Sequence, residues 1–238
     1  MPNTYFRFKQ FVVEQEKCAM KVGTDGVLLG AWAQLPDTGK VLDLGTGTGL
    51  VALMIAQRCQ AEVVAVDISA EACEQATENV ENSPWKERIM VVHQDAKTMA
   101  ANYEGQFDCI VSNPPYFKEN VKCPGQLRNT ARHTDELNFK QLAVASAALL
   151  KQDGTLSVVL PADAAHEFIA EASSQRLSLL RQTWIHTKPN ATPKRVLMTF
   201  RNSLVVSSEI SHMTIHEADH SFSEAYRELT SDFYLDRK

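Results

Sequence analysis

The feature that most constrains the fold of this sequence is a series of short apolar runs alternating with amphipathic segments. Apolar residues in each run fall at successive positions and do not alternate with polar ones, as expected for strands buried on both faces. Such strands, separated by helices, predict an open, mostly parallel sheet with helices on both sides. The predicted strands are 41–44, 62–68, 89–93, 108–112 and 155–160. The predicted helices are one that begins at residue 50 and three at 70–82, 139–150 and 162–176.

Two further predicted strands, 179–186 and 196–200, close the series. They complete an α/β Rossmann-like fold with a mostly parallel seven-stranded sheet and an antiparallel edge strand. A chain of 238 residues fits one domain, so 1–238 is predicted to be a single domain. Its predicted parts are an N-terminal extension with a ligand-covering motif (1–30), a substrate loop (117–135) and an acidic C-terminal segment (205–238).

Composition excludes several classes of protein. No apolar run approaches the roughly 20 residues of a membrane span, and the first ten residues lack the apolar core of a signal peptide. The five cysteines are scattered, without a Cys-x-x-Cys pair, which predicts buried reduced thiols and no metal site. We therefore expect a cytoplasmic protein without membrane attachment. We also expect a monomer, because no sustained apolar stripe is evident.

A glycine-rich turn, Gly45-Thr46-Gly47-Thr48-Gly49, follows the first predicted strand. Glycines there permit a tight turn and a close approach of the backbone to a ligand. The dinucleotide-binding pattern would require a glycine at position 50, where this chain has leucine. The Walker pattern also fails, because no Lys-Ser/Thr pair follows the glycines. The turn therefore predicts a ligand other than a dinucleotide or a nucleoside triphosphate.

Three acidic residues stand at the ends of the first three strands. Asp43 precedes the glycine turn, Asp67 ends the second strand, and Asp95 follows the third, before Ala96. These strand ends meet at one edge of a parallel sheet. There Asp67 can accept the hydroxyls of a ribose, and Asp95 the amino group of an adenine. A nucleoside pocket without a phosphate binder suits S-adenosylmethionine, although each acid alone could simply cap a turn or helix or begin a loop.

The sequence Asn113-Pro114-Pro115-Tyr116 follows the fourth strand. Two adjacent prolines stop a strand, because both lack an N–H and fix φ. The Asn113 side-chain oxygen and the Pro114 carbonyl can each accept one proton of a planar amino group, while Tyr116 stacks on its ring. The motif predicts methyl transfer to such a group; a rigid turn that only ends the strand is the alternative.

Together these motifs resemble the class I S-adenosylmethionine-dependent methyltransferases that modify amino nitrogens. Further strings resemble the bacterial tRNA (adenine-N6)-methyltransferases that act on valine tRNA beside its anticodon. These strings are 6–11, 21–26, 28–32, 84–85, 131–133, 223–230 and 233–235. The resemblance implies S-adenosylmethionine as cofactor and the anticodon loop of valine tRNA as partner, and it places Gly23, Thr24 and Asp25 in the cofactor pocket. The full predicted cofactor set is Gly23, Thr24, Asp25, Asp43, Gly45, Thr46, Gly47, Gly49, Asp67, Ile68, Asp95, Ala96 and Asn113.

The net charge of −5 disfavours RNA binding, but basic residues are concentrated in parts of the sequence where they could contact RNA. Residues 186–201 carry four basic side chains and no acid. The predicted RNA contacts are Lys118, Arg128, Arg132, His133, Lys188, Lys194 and Arg195. An ordinary solvated surface is the alternative for each of them.

Other acceptors remain open. A protein-glutamine methyltransferase would carry a helical domain ahead of the core, but only 20 residues precede Lys21. A DNA adenine methyltransferase would add a recognition region. A ribosomal-RNA guanine-N2 methyltransferase often has phenylalanine at the position of Tyr116. A non-catalytic RNA-binding module would be expected to lose the acceptor motif first.

Overall fold

The computed structural model describes residues 3–18, 20–115 and 137–235. Within these ranges the strands are β1 (Tyr5–Arg7), β2 (Val12–Glu14), β3 (Lys40–Leu44), β4 (Glu62–Asp67), β5 (Ile89–His93), β6 (Phe107–Ser112), β7 (Leu150–Pro161), β8 (Ser178–His186), β9 (Arg195–Arg201) and β10 (Glu209–Thr214). The α-helices are α1 (Thr24–Trp32), α2 (Leu50–Arg58), α3 (Ala70–Glu81), α4 (Ala100–Tyr103), α5 (Phe139–Leu149), α6 (Ala165–Ser174) and α7 (Glu224–Thr230).

Eight strands form one sheet in the order β10-β8-β9-β7-β6-β3-β4-β5. All neighbours in it are parallel except β9, which runs antiparallel to both β7 and β8. The predicted mostly parallel sheet with helices on both faces is confirmed. The structure adds an eighth strand, β10, and places the antiparallel strand inside the sheet instead of at its edge.

Burial explains why β9 lies inside the sheet. Its residues from Val196 to Phe200 are all buried, so the strand requires neighbours on both sides and helices over both faces. The edge strand β10 is largely exposed and has the polar sequence Glu-Ile-Ser-His-Met-Thr. A strand of that composition gives no apolar run, which is why the sequence did not predict it.

The two faces of the sheet are covered by different helices. Side chains of β4 alternate between them, with Val63 and Ala65 in one core cluster and Val64 and Val66 in the other. The first cluster contains α1, α2 and α7, the second α5 and α6. Where α1 crosses α2, a Cβ on Gly30 would lie 2.7 Å from the sulfur of Met54, so glycine permits this close packing.

The N-terminal hairpin, β1 paired with β2, joins the end of the chain to its beginning. The backbone N–H of Lys9 donates to the carbonyl of Phe233 at 2.8 Å. The ring of Phe8 stacks on Tyr234 with 5.9 Å between centroids. No helix in the described ranges is long and apolar enough to cross a membrane.

Candidate active site

The glycine turn lies at the carboxyl edge of the sheet, between β3 and α2. The backbone N–H groups of Gly45 and Thr46 both donate to the carbonyl of Val66, at 2.8 and 2.9 Å. Gly45 and Gly47 have φ of 80° and 55°, a region that disfavours other residues. A Cβ at either position would have no atom within 4 Å. The turn is therefore fixed to the end of β4 and leaves an open cradle above its backbone.

Asp43 supports this turn from beneath. Its side chain is buried, and Oδ2 accepts hydrogen bonds from Thr46 Oγ1 at 2.6 Å and from the N–H of Ala52 at 3.0 Å. Burial raises the pKa of Asp43 to about 7, against the lowering effect of both hydrogen bonds. This geometry matches the turn-capping alternative, and direct contact of Asp43 with a cofactor stays a prediction.

Asp67 connects the turn to the start of α3. Its Oδ2 accepts the N–H of Gly47 and its Oδ1 accepts the N–H of Ser69, both at 2.9 Å. Each carboxylate oxygen can accept more than one hydrogen bond, so Asp67 keeps acceptor capacity for two hydroxyls. The next residue, Ile68, is 50% exposed and offers an apolar surface beside this carboxylate.

Asp95 lies beside Asp67. The N–H of Gln94 donates to the carbonyl of Asp67 at 3.0 Å, which joins the segment after β5 to the end of β4. Asp95 Oδ1 caps the short 3-10 turn that begins at Ala96 by accepting the N–H of Lys97 at 2.9 Å. The three acids predicted to share one edge do so, and each also caps a local turn.

The acceptor motif begins where β6 ends. The buried hydroxyl of Ser112 donates to the carbonyl of Leu44 at 2.7 Å, so the ends of β6 and β3 are joined directly before Asn113 and Gly45. Asn113 is half-buried, Pro114 is buried and Pro115 is exposed. The motif therefore stands beside the glycine turn.

Several predicted residues lie outside the described ranges. These are Tyr116, Lys118, Arg128, Arg132 and His133, together with the rest of the predicted loop 117–135. Their roles stay predictions.

The first turn of α1 forms another wall of the site. Gly23 is its N-cap, Thr24 is exposed, and a Cβ on Gly26 would lie 3.9 Å from Nδ2 of Asn113. Asp25 accepts a hydrogen bond from Nε of Arg195 at 2.7 Å, in a partly exposed ion pair. These two residues were predicted for different ligands, cofactor and RNA, and the structure places them against each other.

The remaining predicted RNA contacts in the described ranges lie at the same edge. Lys188 and Lys194 flank the connection between β8 and β9, and both are exposed. Lys188 Nζ lies 3.3 Å from Nε2 of His220. The three described members of the predicted set, Lys188, Lys194 and Arg195, therefore lie at the edge of the sheet that carries the acceptor motif, and their role in RNA binding stays a prediction.

The sequence did not reveal a buried amide that supports the site. Asn79 of α3 donates to the carbonyls of Thr48 and Glu14, each at 2.8 Å, and accepts the N–H of Glu14 at 2.8 Å. One turn earlier, Gln75 accepts the N–H of Lys17 at 3.1 Å. The sequence signal that could have revealed this support is the pair of polar residues four positions apart on the buried side of α3. They fasten the N-terminal segment and the glycine turn to one helix.

Comparison with known proteins agrees with this geometry. The Methyltransferase small domain family model matches residues 22–184. A tRNA1(Val) (adenine(37)-N6)-methyltransferase of Phocaeicola vulgatus is 54% identical over 235 residues, which cover 99% of both chains. A protein of the same name from Haemophilus influenzae strain PittEE is 42% identical over 232 residues, covering 97% of this chain and 98% of the relative.

Solved structures show the same fold. A protein of Agrobacterium tumefaciens described as a predicted O-methyltransferase is 23% identical, with a TM-score of 0.71, and the match covers 88% of this chain and 96% of that one. Geranyl diphosphate C-methyltransferase from Streptomyces coelicolor, solved with S-adenosyl-L-homocysteine, is 12% identical, with a TM-score of 0.54 and coverage of 74% and 75%. Both likenesses concern the fold alone.

The prediction of S-adenosylmethionine as cofactor is confirmed at the level of the family. With matches over nearly its full length, this chain belongs to the tRNA1(Val) (adenine(37)-N6)-methyltransferase family of small-domain methyltransferases.

Proposed function

We propose that this protein transfers a methyl group from S-adenosylmethionine to N6 of the adenine beside the anticodon of a valine tRNA. The observation that carries the proposal is the position of the acceptor motif. Asn113 follows Ser112, whose hydroxyl donates to the carbonyl of Leu44, the residue directly before the glycine turn. The names of the similar proteins select the acceptor, adenine 37 of tRNA1(Val).

The residues at the carboxyl edge fit the parts of the cofactor. The space above the backbone of Gly45 and Gly47 is open, so the cofactor can lie directly against the turn. The carboxylate of Asp67 accepts hydrogen bonds from the ribose hydroxyls of the cofactor. Ile68 supplies an apolar surface for the adenine, and Asp95 an acceptor for its amino group. When bound, the cofactor supplies an activated methyl group on a sulfonium. Family resemblance assigns the segment from Gly23 to Asp25 to the same pocket.

The acceptor residues hold and orient the amino group. The exocyclic nitrogen of adenine is a weak nucleophile, because its lone pair is delocalised into the ring. The two N–H groups of this nitrogen donate hydrogen bonds to the Asn113 side-chain oxygen and to the Pro114 carbonyl. These bonds favour a pyramidal nitrogen, whose lone pair can then attack the methyl group. Positioning and fixed dipoles provide the catalysis. A strong base is unnecessary, because the proton becomes acidic once the nitrogen carries the methyl group.

The target adenine must leave the loop stack to reach Asn113. Stacking on Tyr116 would stabilise the flipped base, and basic side chains around the site would hold the phosphates. We further propose that the whole chain is one methyltransferase domain, acting as a monomer in the cytoplasm.

The experiment is methyl transfer from labelled S-adenosylmethionine to purified tRNA, followed by nucleoside analysis. The proposal expects N6-methyladenosine in one valine isoacceptor and its absence from the tRNA of cells that lack the gene. Label in ribosomal RNA would indicate the guanine-N2 acceptor instead, and label in protein would indicate the glutamine acceptor. Cofactor binding without any transfer would indicate a binding module.

A further inference from the structure

A groove of about 450 Å³ lies on the opposite side of the first turn of α1 from Asn113. Thr24, Asp25 and Leu28 line this groove, whereas Gly26 faces Leu50 and Asn113. One helix therefore separates the groove from the acceptor site, and a helix with its side chains is about 10 Å across. The other walls come from the ends of β8 and β9, the N-terminal hairpin and the segment that ends in α7.

The groove is lined by aromatic rings. Phe6, His216, Phe222 and Tyr234 line it and are each half-buried. The rings of His216 and Phe222 stack at 27°, with 5.0 Å between centroids. The ring of Tyr226 lies 5.0 Å from that of Phe222 and is tilted by 35° to it. Partly exposed rings gathered in a concave surface are typical of a ligand site.

The charge at the groove indicates which ligand it suits. Lys194 lines it, is exposed and forms no ion pair with another residue of the described ranges. The acid in the lining, Asp25, is neutralised by Arg195. Flat rings together with cations favour a ligand that has a planar base and a phosphate. An apolar peptide would make no use of the lysine.

We propose that this groove binds a second, unstacked nucleotide of the RNA substrate, near in sequence to the adenine held at Asn113. Its base stacks against the pair formed by Phe222 and His216, and Lys194 contacts its phosphate. This inference rests on the proposed function and adds a second site at which the protein binds its RNA substrate. Flipping one base out of a loop frees its neighbours from stacking, and the groove lies close enough to receive one of them.

The test combines a protein variant with an RNA variant. An anticodon stem–loop RNA is made with an abasic nucleotide at each loop position in turn, and its KM for methylation is measured with the wild type and with Phe222→Leu. Leucine keeps an apolar side chain in place but offers no ring.

With the wild type, one abasic position besides the target should raise KM roughly tenfold, within the range expected for base–aromatic stacking. Phe222→Leu should raise KM for the intact RNA to a similar extent, and the same abasic position should then add less than about twofold. The KM for S-adenosylmethionine should stay constant. Equal abasic effects in both proteins, or no sensitive position apart from the target, would overturn the proposal.

Tyr103→Leu is the matched control. Tyr103 is a half-buried aromatic residue that packs on Phe107 at the opposite edge of the sheet, and its loss should leave the RNA KM unchanged. Thermal unfolding of both variants separates stacking from misfolding. If the wild type methylates no RNA, the proposed function fails, and the groove is tested by anisotropy with a fluorescent single-stranded RNA. Equal affinity of wild type and Phe222→Leu there refutes the groove separately.

Discussion

Replacement of Asn79 by leucine should loosen the glycine turn from α3. Leucine has a similar size but cannot form the three hydrogen bonds that this amide makes with Thr48 and Glu14. The helix itself should tolerate the change, because leucine favours helix more than asparagine does. The effect on stability should therefore come from the lost hydrogen bonds.

The magnitude follows from the burial of the groups left behind. Thr48 is 5% exposed, so its carbonyl would lose its partner where water cannot replace it, at a cost of about 1–3 kcal/mol. Glu14 is exposed, and water can recover part of its two bonds. A total near 2–3 kcal/mol corresponds to a fall of roughly 5–10 °C in Tm for a chain of this size. Each 1.4 kcal/mol by which the substitution destabilises the ordered conformation of the glycine turn weakens cofactor binding about tenfold.

The assay pairs thermal unfolding with calorimetric measurement of the Kd for S-adenosylmethionine. Asn82→Leu is the control, because the Asn82 amide caps the same helix with one exposed hydrogen bond to the carbonyl of Glu78. It should change Tm by no more than about 2 °C, as surface substitutions do. If Asn79→Leu behaves like Asn82→Leu in both measurements, Asn79 does not support the turn.

Asn113→Ala should abolish methyl transfer while the cofactor Kd changes less than about threefold; a large loss of cofactor binding in calorimetry would show that Asn113 acts mainly in the cofactor site and not in the acceptor site. Asp67→Ala should do the reverse and raise the cofactor KM at least about tenfold, because a half-buried acceptor for the ribose and for Gly47 is lost; an unchanged KM would contradict that assignment. Burial raises the pKa of Asp43 to about 7, so the folded chain keeps a proton that the unfolded chain releases near pH 4. Its contribution to stability is therefore lost as pH rises from about 4 through 7, and wild-type Tm should fall relative to Asp43→Asn between pH 5 and pH 8; parallel curves would show that Asp43 does not titrate there.

Periodic elements were predictable because their signals are local. Strand β4 and helix α3 match their predicted ranges within one residue. Strand β7 begins at Leu150, earlier than predicted; residues 151–153 are polar and exposed, so they gave no apolar run. The shared edge of Asp43, Asp67 and Asn113 follows from parallel strand topology alone.

Contacts that depend on the folded shape could not be predicted. The pair of Asp25 and Arg195 joins residues 170 positions apart, and no local pattern relates them. The bond from Asn79 to Glu14 likewise spans 65 positions. Glutamine and asparagine on an otherwise apolar helix face indicate buried partners, but their identity depends on tertiary packing.

The meeting of the two chain ends affects the order in which this protein can fold. Phe8 and Lys9 pack against residues near the C-terminus, and β9 must enter between two strands made earlier. During synthesis, the chain up to β8 therefore has an incomplete sheet with buried-type side chains exposed. Contacts of such long sequence separation make folding slow. Because Phe6 and Tyr234 both line the aromatic groove, the groove can be complete only after synthesis has passed Tyr234.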